Sequence, residues 1–391
     1  MPKKFSRDEY LRRWQKVRAL MKEERLDCLL IPAEGPDLTY LSGGGAGWLV
    51  FPYEGAPIAI SEREGGGQNE LGIEMRPDGR PPGSVPGNAE GGNWSPAIID
   101  ALDARDMSRA HIGVGNLSGV FRNEEGGVSY TILDRVKKSF PQARFDSAAD
   151  LLMRAQLVRS PEEIAVFDKA TAVAEQGCQA LFETARPGVS LRELWITMYE
   201  RMLRASGQPG SIAFTLQGVR TADPGIPHGG PASGHILRAG EILGQEITGS
   251  VLGYTAQVDH PVCVGSPAPK EWAKTAQDSI DTFHRLLEFI APGKSMRELN
   301  DHVLTLLAQK GRTETTTKVI FNMGEGPRSG PNRREGKNLV VEAGWVINVV
   351  KPGTYMPGSD TVIDFGDPVV VTDQGARRLG KRKLEVLSLG A

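Results

Sequence analysis

Cysteine is scarce: Cys28, Cys178 and Cys263 are the only three in 391 residues, odd in number and far apart. That excludes a disulfide framework and a cysteine-rich zinc module, and it suits a reducing compartment. An excess of one charge sign is also lacking. Lys+Arg 46 against Asp+Glu 48 leaves a formal net charge of -2. No global basic field exists to gather polyanions, so neither a nucleic-acid nor a membrane partner is expected. No apolar run approaches the length that spans a bilayer. Lys3, Lys4, Arg7, Arg12 and Arg13 interrupt the N-terminus where a signal peptide needs an unbroken apolar stretch. A cytoplasmic protein is expected.

What is present is an ordinary globular composition, 39% apolar and 24% charged, on a chain long enough for two domains. Glycine is plentiful at 47 residues, against a usual share of roughly 7%. Many glycines fall between Gly65 and Gly92 with Pro77, Pro81, Pro82 and Pro86, a pattern that predicts a long loop. Before it, Tyr10, Trp14, Val17 and Met21 recur at helical spacing and lead into the apolar run Cys28 to Ile31. Further runs at Trp48 to Phe51, Ile58 to Ile60 and Ile112 to Val114, with a helical stretch from Ile98, predict an α/β domain over residues 1–150.

Residues 151–391 contain an internal repeat. Arg186-Pro-Gly-Val-Ser-Leu-Arg-Glu-Leu194 and Ala291-Pro-Gly-Lys-Ser-Met-Arg-Glu-Leu299 match at six positions with a constant offset of 105 residues. Apolar residues step by three and four before each copy. Pro-Gly ends the leading helix, Ser190 or Ser295 caps the next, and Glu193 or Glu298 completes a capping box. Leu237 to Leu243 and Val341 to Ile347 then parallel one another ahead of strand-like runs. Two α+β halves with pseudo-two-fold symmetry and a shared central cleft are expected.

The two-half layout, the entry segment Met153 to Ile164, the Pro-Gly-x-Ser repeats and Pro227-His228-Gly229 resemble the creatinase, aminopeptidase P and prolidase family. The resemblance covers nearly the whole chain. It implies an α/β N-terminal domain followed by a "pita-bread" domain, and commonly a homodimer. Metal-dependent members hold two divalent ions with two Asp, one His and two Glu. Here Glu246 stands at the first Asp position, Gln257 at the second, Glu325 at the His, Lys351 at the first Glu and Gly366 at the last Glu. A hard divalent ion needs anionic oxygen or neutral imidazole, and an ammonium repels it. The reading is therefore no metal and no cofactor, with Lys351 supplying part of the missing positive charge.

His228 aligns with the family histidine that takes part in proton transfer, and an imidazole trades protons near neutral pH. Asp259, two residues after Gln257, shares its strand face; adjacent His260 points the opposite way. Asn332 and Arg333 suit a substrate carboxylate, and Tyr254 with Gln257 completes the expected substrate-binding set. By resemblance to creatinase, the expected activity is metal-independent hydrolysis of a C–N bond in a small, carboxylate-bearing amide or amidine. His228 is the general acid/base, with Glu246, Asp259, Glu325 and Lys351 around it. The alternatives are a catalytically silent binding module and an Xaa-Pro-type metallopeptidase with a rearranged metal site.

Overall fold

The computed structural model describes residues 5–32, 36–44, 47–61, 67–78, 94–118, 126–208, 210–217, 234–312, 317–322, 339–355 and 362–390. Two compact units divide the chain: Lys3–Leu157, and Val158–Glu325 with Glu335–Ala391.

The first unit runs α1 (Arg7–Glu24), β1 (Cys28–Pro32), α2 (Pro36–Ser42), β2 (Trp48–Pro52), β3 (Ile58–Ser61), β4 (Glu74–Pro77), α3 (Trp94–Asp103), β5 (His111–Val114), α4 (Tyr130–Ser139), β6 (Arg144–Ser147) and α5 (Ala149–Leu157). Its strands form one mixed sheet in the order β4-β3-β2-β1-β5-β6. Alternation along β1 explains the two-sided burial. Leu29 and Ile31 join Trp14, Met21 and Leu152 in one core cluster, while Cys28 and Leu30 join Ile98, Leu102 and Val136 in another. Because Leu151, Leu152 and Ala155 of α5 belong to the same cluster as α1, this unit extends past the expected division at Asp150 to Leu157.

The stretch from Gly65 to Gly92, expected as a loop, contributes a strand. β4 pairs in parallel with β3, from Ile58↔Glu74 to Ser61↔Pro77. Ion pairs hold this edge: Glu74 lies 2.6 Å from Arg76 and 3.1 Å from Arg105. Residues 79–93 lie outside the described residues.

The second unit is built twice. Its first half comprises α6 (Pro161–Thr184), α7 (Leu191–Ser206), β7 (Ser211–Gln217), β8 (Ile242–Val251), β9 (Tyr254–Val258) and β10 (Val262–Val264). The second comprises α8 (Lys270–Phe289), α9 (Met296–Gln309), β11 (Thr317–Asn322), β12 (Val346–Tyr355), β13 (Val362–Ile363), β14 (Asp367–Thr372) and β15 (Gly375–Arg378); β16 (Leu387–Leu389) then returns to pair with β10. Ser190 Oγ accepts the Glu193 N–H and Ser295 Oγ the Glu298 N–H, and the reciprocal bond of a capping box is formed by Glu298. Beyond the caps, the main-chain bonds repeat as well. Gly188 N–H donates to Leu237 O and Gly293 N–H to Val341 O, both at 2.9 Å. The return bonds run from Leu237 N–H to Val189 O and from Val341 N–H to Lys294 O.

Each half lays its first helix on its own sheet. α6 crosses β8 so closely that a Cβ at Gly249 would lie 2.1 Å from the Ala170 carbonyl oxygen, so glycine is required there. The two sheets are joined at Asp259 and Gly366, which form an isolated antiparallel bridge. Cys28, Cys178 and Cys263 are buried and free. Among the described residues no helix is long and apolar enough to cross a membrane.

Candidate active site at the seam of the two halves

Four charged side chains converge beside this seam. β8 and β9 pair through Ile247↔Val258, so Glu246 lies one step along the ladder in the direction of Asp259. Lys351 comes from β12 of the other half. The β12–β14 register shifts between Ile347 and Val350, immediately before Lys351, and such bulges re-aim the side chains that follow. Lys351 Nζ lies 2.5 Å from Glu246 Oε1, 3.7 Å from Asp259 Oδ2 and 3.8 Å from Asp364 Oδ2. Gln257 Nε2 donates to both Asp259 carboxylate oxygens, at 3.1 and 3.3 Å. Ser279 on α8 steadies both strand segments: its hydroxyl donates to Pro352 O at 2.7 Å and accepts the Phe365 N–H at 3.3 Å.

The cluster is graded in exposure. Asp259 and Lys351 side chains are 1% and 3% exposed, whereas Glu246 is 45% exposed. Burial works against the ammonium, yet Asp259, Asp364 and Glu246 together hold Lys351 above the ordinary lysine range. Burial lifts the Asp259 carboxyl to about 7, with Asp364 and Glu246 adding to it and Lys351 and Gln257 opposing. Burial is the main physical origin, and crowding of carboxyl groups around one ammonium reinforces it.

Strand alternation sorts the other expected residues. Gln257 and Asp259 share a face. His260 points away, sandwiched edge-on between Phe182 and Phe365, with Nε2 3.0 Å from Glu385 O. Burial holds His260 neutral, down to about 3. Tyr254 is a correction. It lies an odd number of residues from Gln257 and therefore on the opposite face. Its ring is fully buried against Phe167, and its hydroxyl donates to Glu163 Oε1 at 2.8 Å. It braces α6 and is not among the residues gathered at Lys351. Asp364 was missed by sequence reasoning; the carboxylate two residues before Gly366 was the available signal. His228, Glu325, Asn332 and Arg333 lie outside the described residues.

An α/β domain followed by this doubled unit defines a protein of the pita-bread class. The chain belongs to metallopeptidase family M24, whose model matches residues 165–373. It is similar to an Xaa-Pro dipeptidase of Pyrococcus horikoshii, 22% identical over 379 residues that cover 95% of this chain and 98% of that one. Among solved structures, the Xaa-Pro dipeptidase from Bacillus anthracis superposes with a TM-score of 0.77 at 18% identity, covering 97% of this chain and all of the other. Dipeptidase PepE from Mycobacterium ulcerans gives 0.74 at 21% identity, covering 99% of this chain. At these identities the structural likeness establishes the fold.

The point on which Glu246, Asp259 and Asp364 converge is taken by the Lys351 ammonium, and a first-shell ammonium repels a dication. Among the described residues no group of three or more His, Cys, Asp or Glu is arranged to hold a metal ion.

Proposed function

We propose that this chain hydrolyses a C–N bond in a small, carboxylate-bearing amide or amidine without a metal ion, and that the Lys351 ammonium stands where the family's cations would. The observation that carries the reading is the convergence of Glu246, Asp259 and Asp364 on Lys351 Nζ. Hydrolysis of a C–N bond needs a base to activate water and an acid to protonate the leaving nitrogen. His228 is assigned both transfers, by resemblance to the family's proton-transfer histidine. Glu246, the exposed member of the cluster, presents a carboxylate to the cleft for water or a substrate nitrogen. Asp259, buried and lifted towards neutrality, holds a proton within the cluster. Lys351 keeps the carboxyl groups together and prevents their mutual repulsion. Arg333 and Asn332 are assigned to the substrate carboxylate, and a homodimer is the proposed assembly.

The test is turnover of a panel of small carboxylated amides and amidines, with chelator present, by wild type and His228→Ala. The reading predicts chelator-insensitive turnover and a fall of roughly 10² to 10⁴ in the variant, its melting temperature unchanged. Turnover only after adding a divalent ion would instead support a metallopeptidase with a rearranged site. Tight ligand binding with no turnover would support a binding module.

A further inference from the structure

We propose that Arg382 is a positioning residue for the Lys351 cluster, acting through the main chain of Asp259. The segment after β15 brings it to the back of the seam. There Arg382 Nη2 donates to Asp259 O at 2.9 Å and to Gly366 O at 3.0 Å. These are the carbonyls of the bridge that joins the two sheets among the described residues, in which Asp259 N–H donates to Gly366 O and Gly366 N–H to Asp259 O at 3.0 and 3.2 Å. One guanidinium nitrogen therefore clasps both sides of the bridge on whose far side Asp259 presents its carboxyl to Lys351.

Arg382 is itself held by Asp367, Arg378 and Glu175. Its Nη1 donates to Asp367 Oδ1 and Arg378 Nε donates to Asp367 Oδ2, both at 2.7 Å. Arg378 Nη2 also donates to Arg382 O. From α6, Glu175 Oε1 accepts the N–H groups of Lys381 and Arg382 at 2.6 and 2.7 Å. Close packing requires Gly380 between the two arginines, since a Cβ there would lie 2.1 Å from Asp367 Oδ1. Asp367 is fully buried and the Arg382 side chain is 8% exposed. The second amino group of Arg382 is directed at the two carbonyls that fix Asp259. The same segment supplies Glu385 O to His260, so residues 259 and 260 are pinned from one side.

That this clasp serves catalysis rests on the preceding reading of the Lys351 cluster as the reacting centre; that it positions the cluster is testable without turnover. The measurement is competitive acetylation of lysines across pH 7 to 11, quantified by mass spectrometry. Lys310, bonded to Asp278 and Asp281, serves as internal reference. In Arg382→Gln the labelling rate of Lys351 at a fixed pH within this range should rise roughly tenfold, the change one unit of pKa produces, with Lys310 unchanged. Arg382→Lys, which keeps a cation at Asp367, should restore stability more fully than it restores the Lys351 profile. Should Arg382→Gln fail to fold, Glu175→Ala removes the hold on the Arg382 main chain and should raise Lys351 labelling alone, by a smaller factor. A wild-type Lys351 profile in the folded variants, or Lys351 and Lys310 rising together, would overturn the proposal. Neither outcome depends on whether the hydrolase reading holds.

Discussion

Two buried charge clusters lie back to back at the seam, and they are built on opposite principles. Around Asp367, two guanidiniums meet one carboxylate and both of its oxygens are engaged at 2.7 Å. Burial draws the Asp367 carboxyl upward against the two guanidiniums, while Arg382 keeps its proton despite burial because Asp367 lies beside it. Around Lys351, one ammonium meets three carboxyl groups, with one short contact and two long ones. The first cluster has no spare acceptor on Asp367 and functions as a staple. Among the described residues the second gathers three carboxyl groups on one ammonium, one of them open to solvent. A saturated cluster resists change; an imbalanced one responds to pH and to ligands.

The largest expected effect follows from saturation. Asp367→Asn leaves Arg378 and Arg382 without their nearest counter-ion, with Glu175 still 3.7 Å from Arg382 Nη1, and breaking a buried pair in this way costs about 3 to 5 kcal/mol. Urea denaturation at pH 5 and pH 8 should show similar losses, because no neighbouring group compensates by changing protonation. Lys351→Met should behave differently. At pH 8 it should cost about 2 kcal/mol, within the range of single buried substitutions; at pH 5 the loss should shrink as the orphaned carboxyl groups take up protons. Equal losses at the two pH values would abolish the distinction between the clusters.

The pH dependence sharpens the same comparison. The folded pKa of Asp259 is raised above its unfolded value, so the folded state binds more protons than the unfolded chain between pH 4 and about 7. Its contribution to stability is full at low pH and is lost as pH rises through the folded value. Asp259→Asn should therefore flatten the wild-type decline in stability between pH 5 and 8, by chemical denaturation in matched buffers. An unchanged slope would mean that the retained proton sits elsewhere. The smallest effect is expected where burial is absent. Arg204 and Glu200 pair at 2.7 Å on α7 with side chains 78% and 58% exposed, and Arg204→Ala should cost at most a few tenths of a kcal/mol.

Much of this was legible in the sequence where the signal is local. Capping chemistry depends on residues three apart, so the Pro-Gly-x-Ser repeats disclosed both helix pairs and hence the doubled fold. Lys351 before Pro352-Gly353 and Glu246 on a strand stood out in the sequence, and the structure brings the two together at 2.5 Å. What escaped depends on tertiary register. Asp364 reaches Lys351 only because β13 and β14 flank β12 in the sheet. Arg382 lies beyond the repeat, in a segment without periodicity. β4 was hidden because Glu74, Arg76 and Pro77 carry little strand propensity, and edge pairing and ion pairs to Glu74 decide its conformation. Tyr254 was misassigned through sequence proximity to Gln257, where the two-residue alternation of a strand already separated them.

The proposed function places an ammonium where the family's cations would stand. Its most direct test is elemental analysis of protein purified without chelator, set against protein concentration, for wild type and Lys351→Met together. The account predicts far less than one divalent ion per wild-type chain, even after incubation with manganese or zinc, and measurable uptake once the ammonium is removed. One or two tightly held ions per wild-type chain would contradict it.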